Sequence, residues 1–170
     1  MRQEVCNIRT FIIGVMGGGG PVSPEDYSLA YRLGCLIARE GWILLNGGRN
    51  SGIMEASARG AWENGGLTVG ILPGRDTGQV SAYIDIPIVT GMGDGRNYIN
   101  ILSSDVVMAL RGGAGTISEI ALALKNGKNV ILLNFKTGEV FDSYSRSGLL
   151  KHASTPEKAV EMARLLLGSK

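Results

Sequence analysis

The chain has 170 residues, with 17 basic and 15 acidic side chains and a net charge of +2. Such a length suits one domain spanning residues 1–170, and 44% hydrophobic with 19% charged residues is a globular composition, not a disordered one. The near balance of charge excludes a broad nucleic-acid or membrane-surface footprint while leaving room for a local anion site.

Along the chain, the opening MRQEVCNIRT lacks the continuous apolar core of a secretory leader. Thr10 to Met16 (TFIIGVM) then reads as a strand ending in glycines. Pro24 to Glu40 has helical spacing, with Ser23 as its cap and Pro24 at the first helical position. Trp42 to Asn46 (WILLN) is a second strand, Ile53 to Asn64 a helix rich in small residues, and Leu67 to Leu72 a third strand. Tyr83 to Val89 reads as extended, with Pro87 arguing against a central strand. Arg96 to Ser103 reads as a helix, Asp105 to Leu110 as a strand, Ile117 to Asn126 as a helix and Asn129 to Asn134 as a strand. Lys136 to Lys151 reads as polar and irregular, and Ser154-Thr155-Pro156-Glu157 starts a last helix running to about Leu167. Short apolar runs alternating with helices predict an α/β fold: a Rossmann-like, three-layer α/β/α arrangement around a mainly parallel sheet.

Several chemistries are set aside by composition. Cys6 and Cys35 have no metal or redox spacing and read as reduced thiols of a cytoplasmic protein. His152 is the sole histidine, which argues against histidine-based zinc sites and a Ser-His-Asp triad, and no metal site is expected. No apolar run approaches the roughly 18 residues of a membrane span.

Glycine is the unusual residue, 26 of 170, and it clusters where apolar runs end. In an open parallel sheet the loops at the carboxyl ends of the strands converge on the ligand. Three glycine-rich loops are expected there: Gly17-Gly18-Gly19 after the first strand, Gly47-Gly48 after the second, and Arg111-Gly112-Gly113-Ala114-Gly115-Thr116 after the Asp105 strand. Glycine lets the backbone approach a ligand closely, and main-chain N–H groups at helix starts favour anions, so a phosphate is the expected guest. The first loop has no G-x-G-x-x-G, Asn46 stands where a dinucleotide fold often carries an acid, and no GK[ST] loop is present. Thr116 and Glu119 also fit a capping box, T-x-x-E, which would make Glu119 a helix-capping residue. Arg96, after Gly95, offers a planar fork of donors to a phosphate.

These stretches resemble the lysine-decarboxylase-like or "lonely guy" superfamily, and most closely its molybdenum-cofactor carrier branch. The resemblance rests on Asn46-Gly47-Gly48 with Gly52-Ile53-Met54, on Gly66 to Pro73, on Arg96-Asn97 and on Ala109 to Lys125. It implies a phosphorylated small molecule as partner, either a nucleotide or a molybdopterin-type cofactor. It also implies a homodimer or larger homo-oligomer, and no cofactor required for chemistry. In the phosphoribohydrolase branch the N-glycosidic bond of a nucleoside 5′-monophosphate is cleaved, and the motif positions of that branch fall on Arg96 and Glu119. Two departures, Arg111 in place of the motif proline and Asn97 in place of the motif lysine, favour the carrier branch. Ligand contacts are therefore expected from the three glycine loops with Ala114, Thr116, Arg96, Asn97 and Arg111. Nothing in the chain has the context of a pyridoxal-phosphate lysine, so lysine decarboxylation is not expected.

Overall fold

The computed structural model describes residues 10–168. Cys6 and the opening stretch read for a leader lie outside them. The strands are β1 (Ile12–Met16), β2 (Ile43–Asn46), β3 (Thr68–Leu72), β4 (Ile86–Val89), β5 (Val106–Ala109), β6 (Asn129–Leu133) and β7 (Leu150–Ala153). They form one sheet in the order β4-β3-β2-β1-β5-β6-β7, with every pairing parallel. The helices are α1 (Pro24–Arg39), α2 (Gly52–Trp62), α3 (Arg96–Ser103), α4 (Ala114–Lys125), α5 (Asp142–Arg146) and α6 (Pro156–Gly168).

The central strands β1, β5 and β6 are almost wholly apolar because the sheet is covered there on both sides. Ile13 and Val15 of β1, Val106 and Met108 of β5, and Ile131 and Leu133 of β6 pack with α1, α2 and α6 on one face. The alternate residues, including Met16, Val107, Ala109, Val130 and Leu132, pack with Ile101 of α3 and Ile120 and Leu124 of α4 on the other. This period-two division makes the three layers. Parallel β1 and β5 are neighbours in the sheet, but β2, β3 and β4 intervene in sequence. The chain therefore leaves β1 to one side and β5 to the other, and a crevice opens between their carboxyl ends.

Local signals explain the helix starts. Ser23 Oγ accepts from Asp26 N–H at 3.1 Å, Pro24 opens α1, and Glu25 and Asp26 sit in its first turn, as the sequence indicates. Pro87 is accommodated because β4 is an edge strand. The segment read as irregular, Lys136 to Lys151, is more ordered than that: it holds a 3₁₀ turn at Glu139–Phe141, helix α5 and the first residues of β7. β7 has only two buried residues, Leu150 and Ala153, and its strand form comes from pairing with β6, a tertiary effect no local pattern announces.

Candidate functional site

The three glycine loops meet at the β1/β5 crevice and are laced together by main-chain bonds. Gly18 N–H donates to the Arg111 carbonyl at 3.1 Å, and Ile53 N–H donates to the Gly18 carbonyl at 2.9 Å. Gly52 has φ +60°, and a Cβ there would run into the Gly18 and Gly20 carbonyls. The second loop is set by Asn46, wholly buried, whose Nδ2 donates to the Met54 carbonyl and Ser57 Oγ while its Oδ1 accepts from Gly48 N–H at 2.7 Å. Asn46 thus ties β2 to α2, which is why an amide stands where other folds carry an acid.

The crevice encloses a cleft of about 260 Å³ lined by Gly17, Gly18, Gly19, Gly47, Arg96, Asn97, Gly113, Gly115, Thr116 and Glu119. Four other expected contacts sit elsewhere. Gly48, at φ +72°, packs against Gly70 of β3. Gly112 lies so close to Thr116 Oγ1 that any side chain there would collide with it. Ala114 is the exposed first residue of α4. The Arg111 side chain lines a neighbouring groove, and only its carbonyl joins the loop lacing. Sequence reasoning missed Arg49, Met54 and Asp94, which also line the cleft, and Asn100 behind it. Arg49 follows the second glycine pair directly and Asn100 lies one turn beyond Arg96, so helix periodicity and loop proximity were the available signals.

Arg96 is not the exposed helix charge its sequence position allows. Its guanidinium lies against Gly47, where a Cβ would collide with both terminal nitrogens. Its Nε and Nη1 are buried without a hydrogen-bond partner. Burial lowers the Arg96 pKa; Glu119 and Asp94 oppose that shift and Arg49 adds to it. Such unmatched donors are costly unless an acceptor arrives.

Glu119 is buried on α4, and Asn100 Nδ2 donates to its Oε1 at 2.9 Å. Burial lifts its pKa above the ordinary 4.5, against the lowering effects of Asn100 and Arg96. The capping-box expectation is therefore corrected. α4 begins at Ala114 with Gly113 as its cap, Thr116 lies inside the first turn, and the Glu119 carboxylate takes its hydrogen bond from Asn100. Because Gly113 has no side chain to cap it, the first N–H groups of α4 are left to the cleft, where Gly113 and Gly115 line the wall. Asn97 is nearly buried and its Nδ2 donates to Ser118 Oγ at 3.2 Å, fastening α3 to α4 across the site.

Among the described residues, no three His, Cys, Asp or Glu side chains are grouped as metal ligands, and no helix is long and apolar enough to cross a membrane. Comparison with known proteins agrees with this architecture. The molybdenum cofactor binding protein of Rippkaea orientalis has 52% sequence identity and a TM-score of 0.90, with 94% of this chain and 99% of that one covered. The molybdenum cofactor carrier protein of Chlamydomonas reinhardtii has 44% identity and a TM-score of 0.87, again covering 94% and 99%. A cytokinin riboside 5′-monophosphate phosphoribohydrolase of Mycobacterium tuberculosis is 34% identical over 117 residues, 68% of this chain and 63% of that enzyme. The SLOG cluster4 family profile matches residues 10–160, and the chain belongs to the SLOG cluster4 family.

Proposed function

We propose that the chain is a binding protein for a phosphorylated small molecule of the molybdopterin type, held by its phosphoryl end in the β1/β5 cleft. The observation that carries this reading is Arg96, whose buried Nε and Nη1 have no acceptor and whose guanidinium is seated against Gly47 at the cleft. The uncapped start of α4 adds main-chain donors and a favourable dipole. The donor set fits a phosphate. At about 260 Å³ the cleft is slightly smaller than the roughly 300–1,000 Å³ of sites that enclose a whole ligand, which suits it to the phosphoryl end alone. High identity to two molybdenum cofactor proteins over nearly the full chain supports the choice of ligand class.

Isothermal titration with a phosphorylated pterin should show saturable binding. Arg96→Ala should weaken it by about 2 kcal/mol, roughly 30-fold in Kd. Equal affinity for wild type and Arg96→Ala would remove Arg96 from the site and the reading with it.

A second reading is favoured by the buried Glu119, which lines the same cleft as Arg96: hydrolysis of the N-glycosidic bond of a nucleoside 5′-monophosphate. Positive charge develops on the ribose in that reaction, and a carboxylate beside the phosphate site would stabilise it and position water. Incubation with AMP should then release adenine, and Glu119→Gln should abolish the release. No free base from any of the common nucleoside monophosphates selects the carrier reading.

A further inference from the structure

A groove of about 770 Å³ opens beside the cleft at the carboxyl ends of β6 and β7, where the fold places residues that the cleft does not use. Its wall carries Arg111, Lys136, His152 and Lys158, and no Asp or Glu lines it. Among the described residues none of these side chains is ion-paired; the ion pairs there are Arg32–Glu157, Arg59–Glu63 and Arg164–Glu40. Of the carboxylates nearby, Glu157 is held by Arg32 at 2.8 Å, Glu25 meets the groove through Asn134 Nδ2 at 3.4 Å, and Asp142 shares an adjoining pocket with Lys136 and His152. Phe135 and Met162 supply apolar surface in the same groove. In a chain of net charge +2, three basic side chains in the wall of one concavity, with no carboxylate in that wall, are a local concentration of charge.

We propose that this groove is a second anion-binding site, distinct from the cleft, which takes a multiply charged anionic group such as a diphosphate carried on a small organic molecule. Arg111 is its arginine fork, Lys136 and Lys158 complete the field and the His152 ring adds an N–H donor, while Phe135 and Met162 contact the uncharged part of the ligand. The side chain of Arg111 therefore serves the groove, although its carbonyl braces the first glycine loop of the cleft. The two sites are separated by the Arg111–Gly115 turn, so occupation of one does not require the other.

The sole histidine makes the test direct, since the imidazole of His152 gives one reporter signal in a carbon–proton correlation spectrum. The probe is inorganic pyrophosphate added to the full chain. We expect a saturable shift of the His152 signal with a Kd of about 1 mM or tighter. Arg111→Glu and, separately, Lys158→Glu should each weaken it roughly tenfold or more, while Arg96→Ala leaves it unchanged. Both reversed residues are exposed, so retention of fold is expected and is checked by the unchanged methyl spectrum of each variant. Absence of a saturable shift overturns the proposal. So does a shift that survives both charge reversals, which marks non-specific screening, or one that Arg96→Ala abolishes, which marks binding in the cleft. Because the phosphorylated-ligand reading is tested through Arg96, failure here leaves that reading standing.

Discussion

Glu119 connects burial, protonation and stability at a single side chain. Its carboxyl is lifted above 4.5 chiefly by burial, so the folded chain holds this proton more tightly than the unfolded chain does. Between the unfolded value and the higher folded one the native state carries the extra proton. Stability attributable to Glu119 is thus greatest in acid and declines as pH rises through that window. Glu119→Gln keeps an oxygen to accept from Asn100 and removes the titration. Urea denaturation should therefore find Glu119→Gln gaining on wild type as pH rises from about 4 to 7. A difference in midpoint that stays constant with pH would mean that the carboxyl is not desolvated in the folded chain. A separate effect is expected at Gly47. Alanine there collides with the Arg96 guanidinium and with buried Met54 Sδ, so Gly47→Ala should weaken phosphoryl-ligand binding nearly as much as Arg96→Ala does, with a loss of thermal stability from the displaced Met54. Titration calorimetry beside a melting curve separates the two effects.

At the scale of elements, the α1/α2 pair shows why small residues were placed where they are. A Cβ on Gly34 of α1 would collide with the Ser57 carbonyl, and one on Gly60 of α2 with the Tyr31 carbonyl, so each helix lays a glycine against the other's backbone. Alanine at either position gains helix propensity of roughly 1 kcal/mol but must push the helices apart, at a cost of about 1–3 kcal/mol. We expect net destabilisation from Gly34→Ala and from Gly60→Ala, read as a lower urea midpoint; a raised midpoint would show that the interface yields. The helices α2 and α4 place Ile53, Ala56, Ala61, Ile120 and Leu124 in the core. Strands and long helices were legible because period-two and period-3.6 patterns are local. β7 was not, since four residues with two buried positions become a strand only by pairing with β6. The glycine loops were legible for the same local reason as the strands they follow. The sharing of labour within them was not. That Gly48 and Gly112 pack, and that Glu119 answers to Asn100 and not to its own helix start, depends on neighbours distant in sequence.

Across the whole molecule, the cleft lies where two halves of the sheet diverge, and its walls come from both: β1, β2 and α2 on one side, α3, β5 and α4 on the other. The main-chain bond from Gly18 to Arg111 already joins these walls, yet the Arg96 donors and the first turn of α4 remain without protein acceptors. A phosphoryl group would supply acceptors to elements from both halves at once. Its effect should therefore extend beyond the contacts it makes and appear as global stabilisation. A ligand at a hundred times its Kd adds about 2.7 kcal/mol to the folded state. For a chain of this length that amounts to an increase in Tm of roughly 5–10 °C. Hydrogen exchange should slow at Gly17 to Gly19 and Gly113 to Thr116 through local contact, and at any amide of buried α1, such as Ala30 to Ile37, that exchanges through global opening, since that opening becomes rarer. Protection confined to α4 would mean that the anion sits on one helix end without bridging the crevice. Protection on both walls, lost in Arg96→Ala, is the result that a ligand held between the two halves requires.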